Sequence, residues 1–139
     1  MKRKHLGITA LLVVGFALGP AHEGQADEDA ARLQQIASRG IGFLRSRGQA
    51  ADGSFSGAIG PAVTALATTA LLQHGVSPQD GTVSRALRYL EKFVQPDGGI
   101  YQSGTYYKNY ETSLALICFQ AANKEGRYKK LVADAERFL

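Results

Sequence analysis

Two stretches of the chain are apolar on nearly every side. From Ala62 to Gln73, Val63, Leu66, Leu71 and Leu72 are interspersed with alanines, and from Tyr110 to Ala122 come Leu114, Leu116, Ile117, Cys118 and Phe119. A helix without a polar face is one buried on most sides, so both stretches read as inner helices. Three further stretches are amphipathic at helical spacing. Leu33, Ile36, Ala37, Ile41 and Leu44 form the first stripe; Val83, Ala86, Leu87, Leu90 and Val94 form the second, with Arg85, Arg88, Glu91 and Lys92 turned to water; Leu131, Val132, Ala135 and Phe138 form the third, introduced by Tyr128. Start and stop signals agree with this division. Asp27, Glu28 and Asp29 favour a helix N-terminus, Pro61 opens the first inner helix, Asp80 or Thr82 caps the second amphipathic one, and Gly75 and Gly126 end the inner helices. Gly40 and Gly42 weaken the first helix and point to close packing there. The fold class expected is all-α.

A loop motif recurs between an amphipathic helix and the inner helix that follows. Gln49-Ala50-Ala51-Asp52-Gly53-Ser54-Phe55 is answered by Gln95-Pro96-Asp97-Gly98-Gly99-Ile100, with the aspartates 45 residues apart. The amphipathic helices repeat as well. Arg39-Gly40-Ile41-Gly42-Phe43-Leu44, Arg85-Ala86-Leu87-Arg88-Tyr89-Leu90 and Asp134-Ala135-Glu136-Arg137-Phe138-Leu139 each give a small residue, a two-residue gap, an aromatic and a leucine, in steps of 46 and 49 residues. Periods of this length belong to helical hairpin arrays. The unit reads as outer helix, Asp-Gly loop, inner helix and connector, and the chain holds about two and a half of them. The third outer helix should then lack the inner helix that covers it, leaving an open C-terminal edge, so that the chain self-associates or is marginally folded.

The sequence of a basic then a small residue, an aromatic-leucine pair, a glutamine and an Asp-Gly followed by an aromatic, as in Arg39-Gly40, Phe43-Leu44, Gln49 and Asp52-Gly53-Ser54-Phe55, resembles the repeat of squalene and hopene cyclases and of protein prenyltransferase β subunits. The resemblance covers residues 27–139. It implies an α/α toroid, here an incomplete ring, with inner and outer layers of helices. In it the glutamine and aromatic of each repeat fasten a loop to a helix N-terminus, so Gln49, Asp52, Gly53, Phe55, Gln95, Asp97 and Gly98 take structural roles. The usual loop tryptophan is replaced by Phe55 and Ile100, and the chain has no Trp.

Charge enters the picture through the first 26 residues. Lys2-Arg3-Lys4, the apolar run from Leu6 to Gly19, and small residues ending in Gly24-Gln25-Ala26 have the pattern of a removable signal peptide, with Gly19-Pro20-Ala21 as the alternative cut. The apolar run is too short for a comfortable span, so the protein of residues 27–139 is expected to be exported, periplasmic or secreted, without a membrane span. The formal charge of the whole chain is +4 over 139 residues. The leader takes three basic residues and Glu23 with it, leaving 13 Lys and Arg against 11 Asp and Glu. A nucleic-acid partner loses its support, since the basic knot of Lys124, Arg127, Lys129 and Lys130 reads as a solvated turn with only Tyr128 for base stacking. Cys118 is the single cysteine, so no intramolecular disulfide forms.

The chemistry that the resemblance would bring lacks its residues. Cyclisation begun by protonation needs an acid set among carboxylates, an Asp-x-Asp-Asp run, and none exists here. A prenyltransferase needs Asp, Cys and His around zinc, and only Cys118 and His74 remain, without metal-ligand neighbours at local spacing. The Cys-Gly-Glu-Gln of thioester-bearing toroids is likewise missing. No catalytic residue, metal or cofactor is therefore expected. The candidate ligand site is the second loop, where Tyr101, Tyr106, Tyr107 and Tyr110 crowd beside Glu111 and offer aromatic faces for an apolar surface, a cation or a sugar ring. The function expected is a non-catalytic repeat protein binding a protein or an apolar ligand. The alternative is the N-terminal segment of a terpene cyclase or prenyltransferase-like enzyme whose catalytic residues lie beyond Leu139.

Overall fold

A computed structural model describes residues 23–139, with side chains from Gln25 onward. Most of the signal-peptide reading, residues 1–22, lies outside the described residues. The chain divides into two compact units, Met1–Leu33 and Gln34–Leu139, and the second carries the core. Helix α1 is Glu23–Phe43, prolonged by a single π-helical turn at Leu44–Gly48; a short 3-10 turn occupies Gly57–Ile59; α2 is Ala62–Gln73, α3 Gly81–Glu91, α4 Lys108–Ala122 and α5 Lys129–Phe138. Among the described residues the only extended pairing is one antiparallel bridge between Val94 and Ile100, so the protein is all-helical.

The helix ends follow from their residues. Pro61 precedes α2 with φ −76°, and Gly75, at φ +81°, lets the chain turn away after it. Within α2 the threonines are buried because their hydroxyls return to the helix: Thr68 donates to the Thr64 carbonyl at 2.6 Å and Thr69 to that of Ala65 at 2.8 Å. Asp80 is the cap of α3, its Oδ1 accepting the Thr82 N–H at 2.9 Å and its Oδ2 bonded to Arg45 at 2.7 Å. α4 starts two residues before the expected Tyr110. α3 stops at Glu91, and Val94, expected to face inward, is exposed because its backbone has already left the helix to pair with Ile100.

α2 lies beside α4; α3 packs on α2, and α5 on α4. Each inner helix is thus covered by the outer helix that follows it, whereas the sequence pattern had joined each outer helix to the inner one after it. The correction matters most for α5. Tyr128 and Ala135 are buried, Leu131 and Val132 pack half-buried against the core, and the rings of Phe119 and Tyr128 are 4.8 Å apart. The apolar side of α5 that the sequence left uncovered is met by α4; Leu139 stays exposed. On α3, Val83, Leu87 and Leu90 are buried, each stabilising by roughly 1.5–3 kcal/mol. On α1 only Ala37 and Ile41 are half-buried, joined by Leu44 of the π-helical turn, while Leu33, Ile36 and Phe43 remain exposed. The N-terminal ends of α2 and α4 are neighbours, since a Cβ at Gly60 would lie 3.1 Å from Gln102 Oε1 and 3.2 Å from Glu111 Oε1.

Candidate functional site

Both Asp-Gly loops are fastened by the same residue types. In the first, Gln49 Nε2 donates to the Gly53 carbonyl at 3.0 Å and to the Thr82 carbonyl at 2.8 Å, while its Oε1 accepts from Arg85 Nε and Nη2 at 3.1 and 2.6 Å. Asp52 Oδ1 accepts from the Ser54 N–H and hydroxyl at 3.0 and 2.7 Å. In the second, Gln95 Nε2 donates to the carbonyls of Phe93 and Tyr101 at 3.2 and 2.8 Å, and Asp97 Oδ1 accepts the Gly99 N–H at 3.0 Å. The glutamines therefore bond carbonyls and, in the first loop, an arginine. The expected bonds from the glutamines to orphan helix amides are absent; the carboxylates and the threonines of the inner helices hold amides of the loops instead, those of Ser54, Gly99, Phe55 and Ile100.

Those threonines are what sequence reasoning missed. Thr64 Oγ1 accepts the Phe55 N–H at 3.0 Å, and Thr112 Oγ1 accepts the Ile100 N–H at 3.0 Å. Their signal was a threonine in the first turns of an otherwise apolar helix, nine and twelve residues after the loop residue each one holds. Phe55 and Ile100 are both buried in consequence. Each loop glycine then rests on the next outer helix. Gly53, at φ +93°, would put a Cβ 2.5 Å from the Arg85 carbonyl oxygen; Gly98, at φ +91°, would put one 2.8 Å from that of Asp134.

The second loop sorts the tyrosines into two groups. Tyr101 is buried, its hydroxyl donating to Asp97 Oδ2 at 2.5 Å, its ring 5.6 Å from that of Phe138, and the Lys108 ammonium 4.9 Å from its centroid. Glu111 is buried too: Oε2 accepts the Gln102 N–H at 2.7 Å and Oε1 the Thr105 hydroxyl at 3.3 Å. Both act as struts of the loop. Tyr106 is fully exposed, and with the exposed Tyr107 and Tyr110 it lines an open concavity of about 490 Å³, shared with Thr105, Lys108 and Asn109. Of the five expected ligand residues, three meet at one surface and two support it from beneath.

Electrostatics limits what this end of the bundle can do. The hydrogen bonds of Ser54 hold the Asp52 carboxyl below the usual carboxylate range, and that of the Tyr101 hydroxyl does the same for Asp97. Burial pushes the Cys118 thiol up to about 12, so it stays protonated at neutral pH. Among the described residues no three His, Cys, Asp or Glu side chains gather as a metal site, and no helix is long and apolar enough to cross a membrane.

No protein-family model, curated protein or solved structure matches this chain.

Proposed function

We propose that the chain is an exported, non-catalytic repeat protein of the squalene-cyclase and prenyltransferase kind, which holds a protein or an apolar ligand against Tyr106, Tyr107 and Tyr110. The observation that carries the repeat reading is the doubled fastening: Asp52, Gly53 and Thr64 recur as Asp97, Gly98 and Thr112, each aspartate holding the amide two residues on and each threonine the amide of Phe55 or Ile100, while Gln49 and Gln95 stand one position apart in the two loops. A toroid-type array needs such an equivalence in every unit. The binding reading rests on the loop's own economy. Its carboxylates and Tyr101 are occupied internally, which fixes the loop and leaves three amphipathic rings free, the residue type enriched where proteins bind. The non-catalytic reading rests on the charge states. Asp52 and Asp97 are ionised at neutral pH and cannot act as the strong acid an olefin requires, and among the described residues Cys118 has no His or carboxylate gathered with it to hold zinc.

A second reading, a segment of a larger cyclase- or prenyltransferase-like enzyme, is favoured by one feature. α2 carries no charged residue, nor does α4 after Glu111, yet Leu66 and Ile117 are exposed on them, as on a wall of a larger apolar cavity. Two measurements test the readings. Farnesol added to the chain labelled at its tyrosine rings should shift the resonances of Tyr106, Tyr107 and Tyr110 saturably; unchanged spectra would remove the apolar ligand. Squalene, and farnesyl diphosphate with Zn²⁺, should be returned unaltered by mass spectrometry, and turnover of either by this chain would overturn the non-catalytic reading.

A further inference from the structure

We propose that the side of the bundle formed by α2 and α4 is the contact surface of a two-fold dimer, an inference that rests on the reading of Tyr106, Tyr107 and Tyr110 as a protein-holding surface and names a second copy of this chain as the protein held. α3 packs on α2 and α5 on α4, and Glu91 at the end of α3 meets Arg127, just before α5, at 3.5 Å. Both outer helices therefore lie on one side of the inner pair. The other side carries two stripes at helical spacing, Leu66 and Ala70 on α2, and Tyr110, Leu114, Ile117 and Ala121 on α4. Leu66 and Ile117 are each 48% exposed and Tyr110 56%, and neither stripe holds a charged residue. Tyr110 carries the second stripe into the concavity that it shares with Tyr106 and Tyr107.

Charge, shape and area name the occupant. A partner with a charged face would strand its ions against these stripes, whereas a second copy brings an equally uncharged surface. Bulk is graded along the surface. α2 and α4 run in the same direction, since their N-terminal ends are neighbours at Gly60 and Glu111. The tyrosines crowd that end, and Ala70 and Ala121 stand towards the other. A copy turned end for end about a two-fold axis therefore sets the tyrosines of each chain over the alanines of the other, the self-complementary pattern of an isologous contact. With about 200 Å² for a whole tyrosine side chain, the exposed parts of the three rings and of the two stripes amount to roughly 700 Å² per copy, close to the ~800 Å² that each partner gives to an ordinary stable interface.

Sedimentation equilibrium of the whole chain should show a monomer and a dimer exchanging in the micromolar range. Leu66→Glu and Ile117→Glu, both at exposed positions, should each weaken the dimer at least tenfold, while Ile36→Glu, on the separate exposed side of α1, should leave it unchanged. In a sample mixing isotope-labelled and unlabelled chains, NMR should find the Tyr110 ring beside the partner's Ala121, a readout that needs no variant to fold. A dimer weakened by Ile36→Glu and indifferent to the other two substitutions would place the contact on α1 and overturn the proposal, as would tyrosines meeting only the partner's tyrosines. A chain monomeric at every concentration would overturn it as well. Farnesol then separates the two levels: saturable shifts at the tyrosines of such a monomer would keep them as a site for an apolar ligand, and unchanged spectra would remove that site along with the dimer.

Discussion

Gly53 and Gly75 share a left-handed backbone, at φ +93° and +81°, but differ in surroundings: a Cβ at Gly53 would press on the Arg85 carbonyl, whereas at Gly75 it meets nothing within 4 Å. Gly75→Ala should therefore cost only the backbone term, about 1 kcal/mol, while Gly53→Ala adds the displacement of a helix and should cost about 3 kcal/mol or more. Urea unfolding of the two variants separates the terms, and equal losses would show that the loop seat on α3 yields freely. The aspartates of the loops give a second expectation. Asp52 and Asp97 bind protons less readily folded than unfolded, so in acid the unfolded state carries more protons. Their stabilisation is complete above the ordinary aspartate value of 3.8 and is lost as pH falls through their lower folded values. Circular dichroism between pH 5 and 2 should show stability declining below that point, with a shallower decline in the Asp52→Asn, Asp97→Asn double variant; an unchanged slope would assign acid lability elsewhere. The motif residues were legible because a repeated Asp-Gly stands out in sequence. The inward turn of Tyr101 and Glu111 was not, since a tyrosine in a loop is written the same way whether its hydroxyl meets water or Asp97.

At the scale of elements, the inner helices announced themselves by lacking a polar face, and α2 falls on the expected residues. What periodicity could not convey was that Thr64 and Thr112 are the latches of the loops, because a threonine in an apolar helix commonly satisfies itself on its own turn, as Thr68 and Thr69 do here. Replacing Thr112 by Val keeps the shape and removes the acceptor of the buried Ile100 N–H. An unpaired buried donor costs about 1–3 kcal/mol, and Thr64→Val should cost the same at Phe55. Thermal unfolding checks both. Thr68→Val, whose hydroxyl bonds only its own helix, should be nearly neutral, and a Thr112→Val loss no larger than that of Thr68→Val would remove the latch from the account. The end of α3 was misjudged for a related reason. Val94 fits the apolar stripe, but its backbone pairs with Ile100, and a cross-loop bridge leaves no trace in helical spacing.

For the whole molecule, the order of elements was readable and their partnership was not. Packing joins α2 with α3 and α4 with α5, whereas the sequence pattern grouped each amphipathic helix with the apolar helix after it. The buried core accordingly runs from Phe55 to Ala135, entirely inside the unit Gln34–Leu139, with Ile41 and Leu44 packed against it. Two truncations should then behave oppositely. A chain beginning at Gln34 keeps every one of those residues and should unfold cooperatively, with a midpoint within about 5 °C of the full chain. A chain ending at Gly126 loses Tyr128, Leu131, Val132, Ala135 and Phe138, which uncovers Phe119 and removes the seat of Gly98. At roughly 1.5–3 kcal/mol for each large side chain, the loss approaches the whole stability of a domain, about 5–15 kcal/mol. Scanning calorimetry should find no cooperative transition in that shorter chain. A sharp transition there, or its loss in the chain beginning at Gln34, would mean that α1 covers the inner helices and α5 is the dispensable end.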